Sequence, residues 1–374
     1  MAIPGKSGGE LPVAEFIRKQ LLEAGAKPSQ ITTDSAHRKT PIPSETGNLI
    51  FTLPGTVRSP RRMLMAHMDT VPICVGCKPK RKGNIVKSAD PATGLGADDR
   101  AGVATVLTAA TEILKQGLPH PPLTFLWTIQ EEIGLHGARL LSLGKLKKPK
   151  YAFNWDGGDP TKMTIGATGG YRMEIRVHGI ASHAGNAPAA GVSAIAIASV
   201  AIADLHDNGW HGDVRKGKHC GTSNVGFIHG GEATNVVTDH VVLRAEARSH
   251  DPSFRKKIVA AIEKAFKDAA KRIVSTEGKR GTVKFDGRLD YESFSIPANS
   301  EVVLASKEVI EAMGLETQLA IANGGLDANW LNARGLPTVS MGCGQRNQHM
   351  VTEALHIDEY LTACRIALTL ATGA

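Results

Sequence analysis

Residues 62–72 read RMLMAHMDTVP, an apolar run from Arg62 to Ala66 that leads straight into His67 and Asp69. A run of that length, apolar throughout and stopped by polar and Pro residues, is what a strand buried on both faces requires. The pattern recurs along the chain. Leu123 to Thr128 (LTFLWT) is followed by Gln130, Glu131 and Glu132, Tyr151 to Phe153 leads to Asp156, and Pro337 to Met341 precedes His349. Asn48 to Leu53 is a further strand, ended by Pro54-Gly55. Between them the Gly-rich turn GLGADDRAG (94–102) opens a helix from Asp99 to Lys115 with Ala, Val and Leu on one face. Strands that alternate with helices, each with polar residues at its carboxyl end, predict an α/β fold with its site at that edge of the sheet.

Charged side chains at the mouths of buried strands cost free energy unless something neutralises them, and a divalent cation does so most directly. His67, Asp69, Asp98, Asp99, Glu131, Glu132, Asp156 and His349 form five such clusters. Two His with several carboxylates and no matching Cys set suit zinc or a neighbouring first-row metal in a hydrolytic site.

After Asp156 the pattern changes. GATGG (166–170) reads as a flexible joint, followed by an alternating strand from Tyr171 to Val177 and a helical run from Ala189 to Asp204. Strand-like segments at 223–229 and 240–247 and an amphipathic helix from Pro252 to Ser275 follow. This is a βαββαβ order, expected to form a smaller α+β domain inserted into the first. The expected divisions are 1–168 and 291–374 for the α/β domain and 169–290 for the insertion. At the amino end, Ser7 and Glu10 have the spacing of a capping box, and Phe16, Ile17, Leu21 and Leu22 are the expected buried stripe of a helix.

With 374 residues, two domains are expected. The net charge of +8 comes from Lys and Arg in short scattered runs without interleaved aromatics, the pattern of solvated faces rather than of a nucleic-acid footprint. Five cysteines, an odd number at irregular spacing, point to a reducing compartment, and the Cys74/Cys77 pair lacks a second pair to complete a metal site. The longest uncharged apolar run, Ala187 to Ala203, is short of a bilayer span, so a buried helix and a cytoplasmic protein are expected.

AHMDTVP, LGADDRAGVA, QEEIGLHGA and the late His349 together make the chain resemble the M20 family of metallopeptidases, most closely its tripeptide aminopeptidase branch. The resemblance implies two zinc ions in a catalytic domain and a lid domain inserted after a ligand Asp. By this match His67 and Glu132 sit on opposite metals, Asp98 bridges them, and Asp156 and His349 complete the set. Two metals ~3.5–4 Å apart clamp both the attacking and the developing oxygen. Arg100 stands where the family commonly has Lys.

Asp69, two residues after His67, can accept the proton of the far imidazole nitrogen and fix its tautomer. On an extended backbone Glu131 and Glu132 face different ways, which leaves Glu131 to move a proton between water and leaving amine. That role matches the family's general base, although spacing alone also allows the two glutamates to exchange roles. In the lid, VHGIASHAG resembles the segment with a substrate-facing His, here His183. Asn235 (EATNVV) and Arg248 (EARSHD) match substrate-contacting positions, with a salt bridge from Arg248 to Glu246 or Asp251 as the rival reading. NGGLDANW, with Asn323 and Gly325, matches a segment lining the substrate site. The expected activity is amide hydrolysis in small peptides, aminopeptidase first. An N-acyl amino acid deacylase or carboxypeptidase, and a non-catalytic zinc-binding protein, are the alternatives. A homodimer through the lid is compatible with the resemblance.

Overall fold

The structure, a computed structural model, describes residues 1–373. The chain divides into two compact units, Met1–Ala167 with the segment from Phe294 onward, and Thr168–Ser293. No helix among the described residues is long and apolar enough to cross a membrane, and all five cysteines are free.

The first unit is built on a nine-stranded sheet. Its centre is four parallel strands in the order Leu123–Thr128, Arg62–His67, Tyr151–Trp155 and Thr338–Met341. Register pairs His67 with Thr128 and Met65 with Asn154, so the residues that follow each strand emerge at one edge. The apolar runs are continuous because both faces are covered. Leu64, Ala66, Phe125, Trp127, Phe153 and Trp155 enter the larger core, which includes the helices Ala97–Gln116 and Ile357–Thr372. Met63, Met65, Leu126 and Ala152 point the other way, to Leu331 and Leu336. Phe51 stacks on Phe125 at 5.6 Å between ring centroids, and each such aromatic burial is worth about 1.5–3 kcal/mol. A separate four-stranded sheet contains the hairpin of Gln345–Arg346 and Ala354–His356.

Two amino-terminal expectations need correction. In the helix Leu11–Glu23 the buried face is Val13, Ala14, Ile17 and Leu21, while Phe16 and Leu22 lie off that stripe and are exposed. Ser7 and Glu10 form no capping box. Ser7 donates to Asp69, and the buried Glu10 accepts the N–H groups of Gly8 and Gln130.

The second unit is an antiparallel sheet ordered Gly212–Lys216, His219–Gly230, His240–Ser249, Gly169–His178 and Thr282–Tyr291. The short strand Gly212–Lys216, absent from the sequence reading, pairs as a hairpin edge on a strand longer than expected. Helices Ala194–Asp207 and Pro252–Arg272 bury Ile197, Ala201, Ile258, Ile262 and Phe266 against Ile175, Val177, Val241 and Leu243. The opposite face of the sheet is charged, with Arg172, Arg176, Arg244 and Arg288 around a cavity of about 750 Å³. GATGG is not a loop: Gly166 ends one strand with Ala167, and Gly169 and Gly170 begin the next. A Cβ on Gly169 would stand 2.6 Å from the Ser293 nitrogen, and one on Gly170 2.8 Å from the Tyr291 ring. Close packing, not flexibility, is what these two glycines serve.

Candidate metal centre and active site

The carboxyl ends of the parallel strands supply His67 directly and Asp156 one residue beyond Trp155. Asp98 comes from the kinked first turn of the helix Ala97–Gln116, where Gly96 takes the left-handed φ of +71° and Asp98 and Asp99 are themselves non-helical. Glu131 and Glu132 do not alternate along a strand as expected. The strand ends at Thr128, Gln130 turns left-handed (φ +52°), and both glutamates lie in the turn that follows. They are oriented by Asp69, whose Oδ1 and Oδ2 accept the N–H groups of Glu131 (3.0 Å) and Glu132 (3.2 Å). His349 sits between the hairpin strands with φ +63°.

These side chains converge. Nε2 of His67 lies 3.2 Å from Oδ1 of Asp98, and Nε2 of His349 lies 3.3 Å from Oδ2 of the same carboxylate. His349 Nε2 is also 2.9 Å from Oε2 of Glu132. Three overlapping groups bring their ligand atoms within 4.8 Å of one another: His67, Asp98 and Glu132; His67, Glu131 and Asp156; Asp98, Asp99 and Asp156. Glu132 Oε1 is buried with no hydrogen-bond partner. Two imidazoles, an excess of buried carboxylates and an orphaned carboxylate oxygen fit a site for divalent cations. Both glutamates fall in ligand-sized groups.

The electrostatics have the same origin. Burial alone would lower the His67 pKa, but Glu131, Asp69 and Asp98 raise it well above the ordinary value. Hydrogen bonds to Asp98 and Glu132 lift His349 to about 10. Burial resists ionisation of Asp98, yet the hydrogen bonds from His349 and His67 hold it below the usual carboxylate range. Burial pushes Glu131 well up, with Asp156 and Glu132 adding repulsion against the pull of His67. Asp156 rises to about 7 through burial and the charge of Asp98. Raised pKa values in buried carboxylates are typical of groups that exchange protons or bind cations.

The shell behind the cluster adds Glu353 and Gln345, which the sequence did not single out, to Asp69, Asp99 and Arg100. His67 Nδ1 is 3.1 Å from the backbone carbonyl of Asp69, nearer than the carboxylate at 3.4 Å, so the main chain is the nearer acceptor of the imidazole proton. Asp99 accepts the backbone N–H of His67 (3.1 Å), that of Gly102 and the amide of Gln345 (2.7 Å). Glu353 accepts the N–H of Asp98. Arg100 is buried and donates to the Gly5 carbonyl. Asp327, from NGGLDANW, is buried, accepts from the Thr128 hydroxyl at the strand end, and is raised to about 6 by burial. Asn323 and Gly325 lie in the loop just before it. Asp99 and the NGGLDANW segment of Asp327 were visible in the sequence, whereas the only signal for Glu353 was an acidic residue close after His349.

In the second unit, His183 and Asn235 are brought together. His183 pairs with Val236 in an isolated bridge, and Ala184 donates to the Asn235 carbonyl. His183 Nδ1 accepts the N–H groups of Gly185 (3.1 Å) and Asn186 (3.0 Å). This leaves the proton on Nε2. Arg248 gives its fork to Glu246, at 2.9 and 3.0 Å, the ion pair that was the rival to a substrate anchor.

A sequence profile of peptidase family M20/M25/M40 matches residues 63–372. The chain belongs to this family. It is therefore a hydrolase of peptide bonds. Among solved structures, this M20-family peptidase is similar to a tripeptidase from Staphylococcus aureus (TM-score 0.88, 30% identity, 99% of this chain and 94% of that one). It is also similar to the aminopeptidase PepT from Bacillus cereus (TM-score 0.86, 30% identity, 99% and 95%). An uncharacterised Bacillus subtilis protein, YqjE, is 32% identical over 325 residues, 87% of this chain and 84% of its own.

Proposed function

We propose that this peptidase is an aminopeptidase of short peptides that works with two zinc ions held by His67, Asp98, Glu132, Asp156 and His349, with Glu131 as general base. The observation that carries the reading is Asp98, whose two oxygens face the Nε2 atoms of two histidines at 3.2 and 3.3 Å. A carboxylate shared in this way suits a bridge between two cations, and imidazole with carboxylate suits zinc. The cations, when bound, polarise the scissile carbonyl and acidify water. Glu131 takes a proton from the attacking water on its carboxylate and returns it to the leaving amine. Asp69 keeps Glu131 in place through the backbone. His183 holds a proton on Nε2 for the oxygen that turns negative. The aminopeptidase preference is supported by two solved structures at 30% identity, named a tripeptidase and an aminopeptidase. A reducing, cytoplasmic setting is supported by five free cysteines.

The test is a mixed library of free tripeptides, their N-acetylated forms and N-acyl amino acids, incubated with zinc-loaded protein and read by mass spectrometry. Free tripeptides should lose their first residue fastest. Preferential cleavage of N-acyl amino acids would move the chain to a deacylase, and release of the last residue to a carboxypeptidase.

A further inference from the structure

We infer that Glu353 is a positioning residue for the metal centre, clamping the turn that presents Asp98 to the base of the loop that presents His349. The inference rests on the ligand set proposed above. Residues 347–352 run along the surface, mostly exposed, and His349 itself is half exposed. The loop ends at Glu353, which is 1% exposed and whose N–H closes a turn on the Met350 carbonyl at 3.0 Å.

From there the Glu353 side chain reaches the other ligand-bearing segment. Oε1 accepts the N–H of Asp98 at 2.9 Å, and Oε2 accepts that of Gly96 at 2.6 Å and the Cys74 thiol at 3.5 Å. The turn is packed closely around this carboxylate: a Cβ on Gly94 would stand 2.9 Å from Cys74 Sγ and 3.2 Å from Glu353 Oε2. A carboxylate accepting two buried backbone N–H groups makes strong, directional bonds. It thereby ties the main chain of Asp98 to the loop of His349, the two residues whose side chains meet at 3.3 Å. Apart from the paired strands that flank it and the contacts of His349 itself, the side-chain bonds of the exposed loop are long, such as Asn347 to the Thr352 carbonyl at 3.4 Å.

Glu353→Gln tests this, because it keeps the shape but sets an amide donor where one backbone N–H needs an acceptor. Zinc affinity is measured by competition with a chelating indicator, beside the melting temperature of the metal-free protein. Zinc affinity should fall about 10–100-fold, the usual effect of losing a residue that orients ligands. Turnover should return with excess zinc, whereas His349→Ala should not be rescued. A folded Glu353→Gln protein with wild-type zinc affinity overturns the inference, as does a variant whose metal-free stability alone declines. If Glu353→Gln does not fold, Glu353→Asp and Gly94→Ala, which retract or crowd the same carboxylate, take its place, and wild-type zinc affinity in both overturns it. A wild-type chain that binds no zinc removes the ligand reading itself, and this inference with it.

Discussion

Asp69 Oδ1 accepts the backbone N–H of Glu131 at 3.0 Å, so the carboxylate two residues after His67 sets the direction of the turn that carries the proposed base. Its other oxygen takes the N–H of Glu132 and the Ser7 hydroxyl, at 3.2 and 2.7 Å. One fully buried side chain thus couples the histidine strand, the glutamate turn and the amino-terminal segment. The adjacent glutamates acquire different surroundings from this arrangement rather than from strand alternation.

Glu131→Gln preserves that turn and removes the base. Its kcat should fall by about 10²–10⁴-fold, the cost of a lost general base, with metal content unchanged by elemental analysis. The reverse result, a near-normal Glu131→Gln and a metal-replete but inactive Glu132→Gln, would exchange the two roles.

Zinc binding should expel protons. His349 is held up to about 10 and His67 well above its ordinary value by surrounding carboxylates, so the metal-free site favours the protonated imidazoles. Ligation requires them neutral, and affinity therefore rises with pH. Calorimetry in buffers of different ionisation enthalpy reads the released protons directly. At a free zinc concentration 100 times Kd the folded state gains about 2.7 kcal/mol. Replacing both His67 and His349 by Ala should abolish proton release and thermal shift together. Binding that persists in that double variant would refute the ligand set.

Gly102→Ala should destabilise, although Ala normally gains about 1 kcal/mol over Gly inside a helix. The added Cβ would stand 2.3 Å from the Trp155 carbonyl and 2.4 Å from Asp99 Oδ1, and overpacking of this kind costs about 1–3 kcal/mol. Urea denaturation of the metal-free protein measures it. A variant as stable as wild type would mean that the helix and the Trp155 strand can move apart freely.

His183→Ala should reduce kcat by about 10²–10³-fold, the equivalent of one preorganised oxyanion donor, with KM and zinc content little changed. Should the chain be a homodimer, mixing inactive Glu131→Gln and inactive His183→Ala subunits distinguishes the arrangements, since activity returns only where the residue works across subunits. Wild-type activity in His183→Ala would leave this residue a structural part of its loop, bonded to Gly185 and Asn186.

Much of the fold was legible because burial on both faces of a parallel sheet imposes uninterrupted apolar runs. RMLMAH, LTFLWT and YAFNW therefore announce central strands, and polar residues after them mark the edge where a site can form. The hairpin edge Gly212–Lys216 was not legible. It reads GDVRK, with Val214 alone buried, and an edge strand needs no apolar pattern. GATGG misled for a related reason: glycines that admit a close tyrosine ring and a neighbouring backbone look the same in sequence as glycines that bend.

The candidate site divides along the same line. Residue type and order narrowed the candidates to His67, Asp69, Asp98, Asp99, Glu131, Glu132, Asp156 and His349, since metal chemistry restricts which side chains can serve, and the likeness to the M20 family singled out His67, Asp98, Glu132, Asp156 and His349 among them. Which atoms meet was decided only by tertiary structure. Asp98 faces two histidines, Asp69 reaches the glutamate turn, Arg248 pairs with Glu246, and Glu353 joins two loops 255 residues apart in sequence. Such contacts depend on strand register, left-handed turns at Gly96, Gln130 and His349, and close approach at glycines. These are properties of the packed chain, which fixes positions that local sequence leaves free.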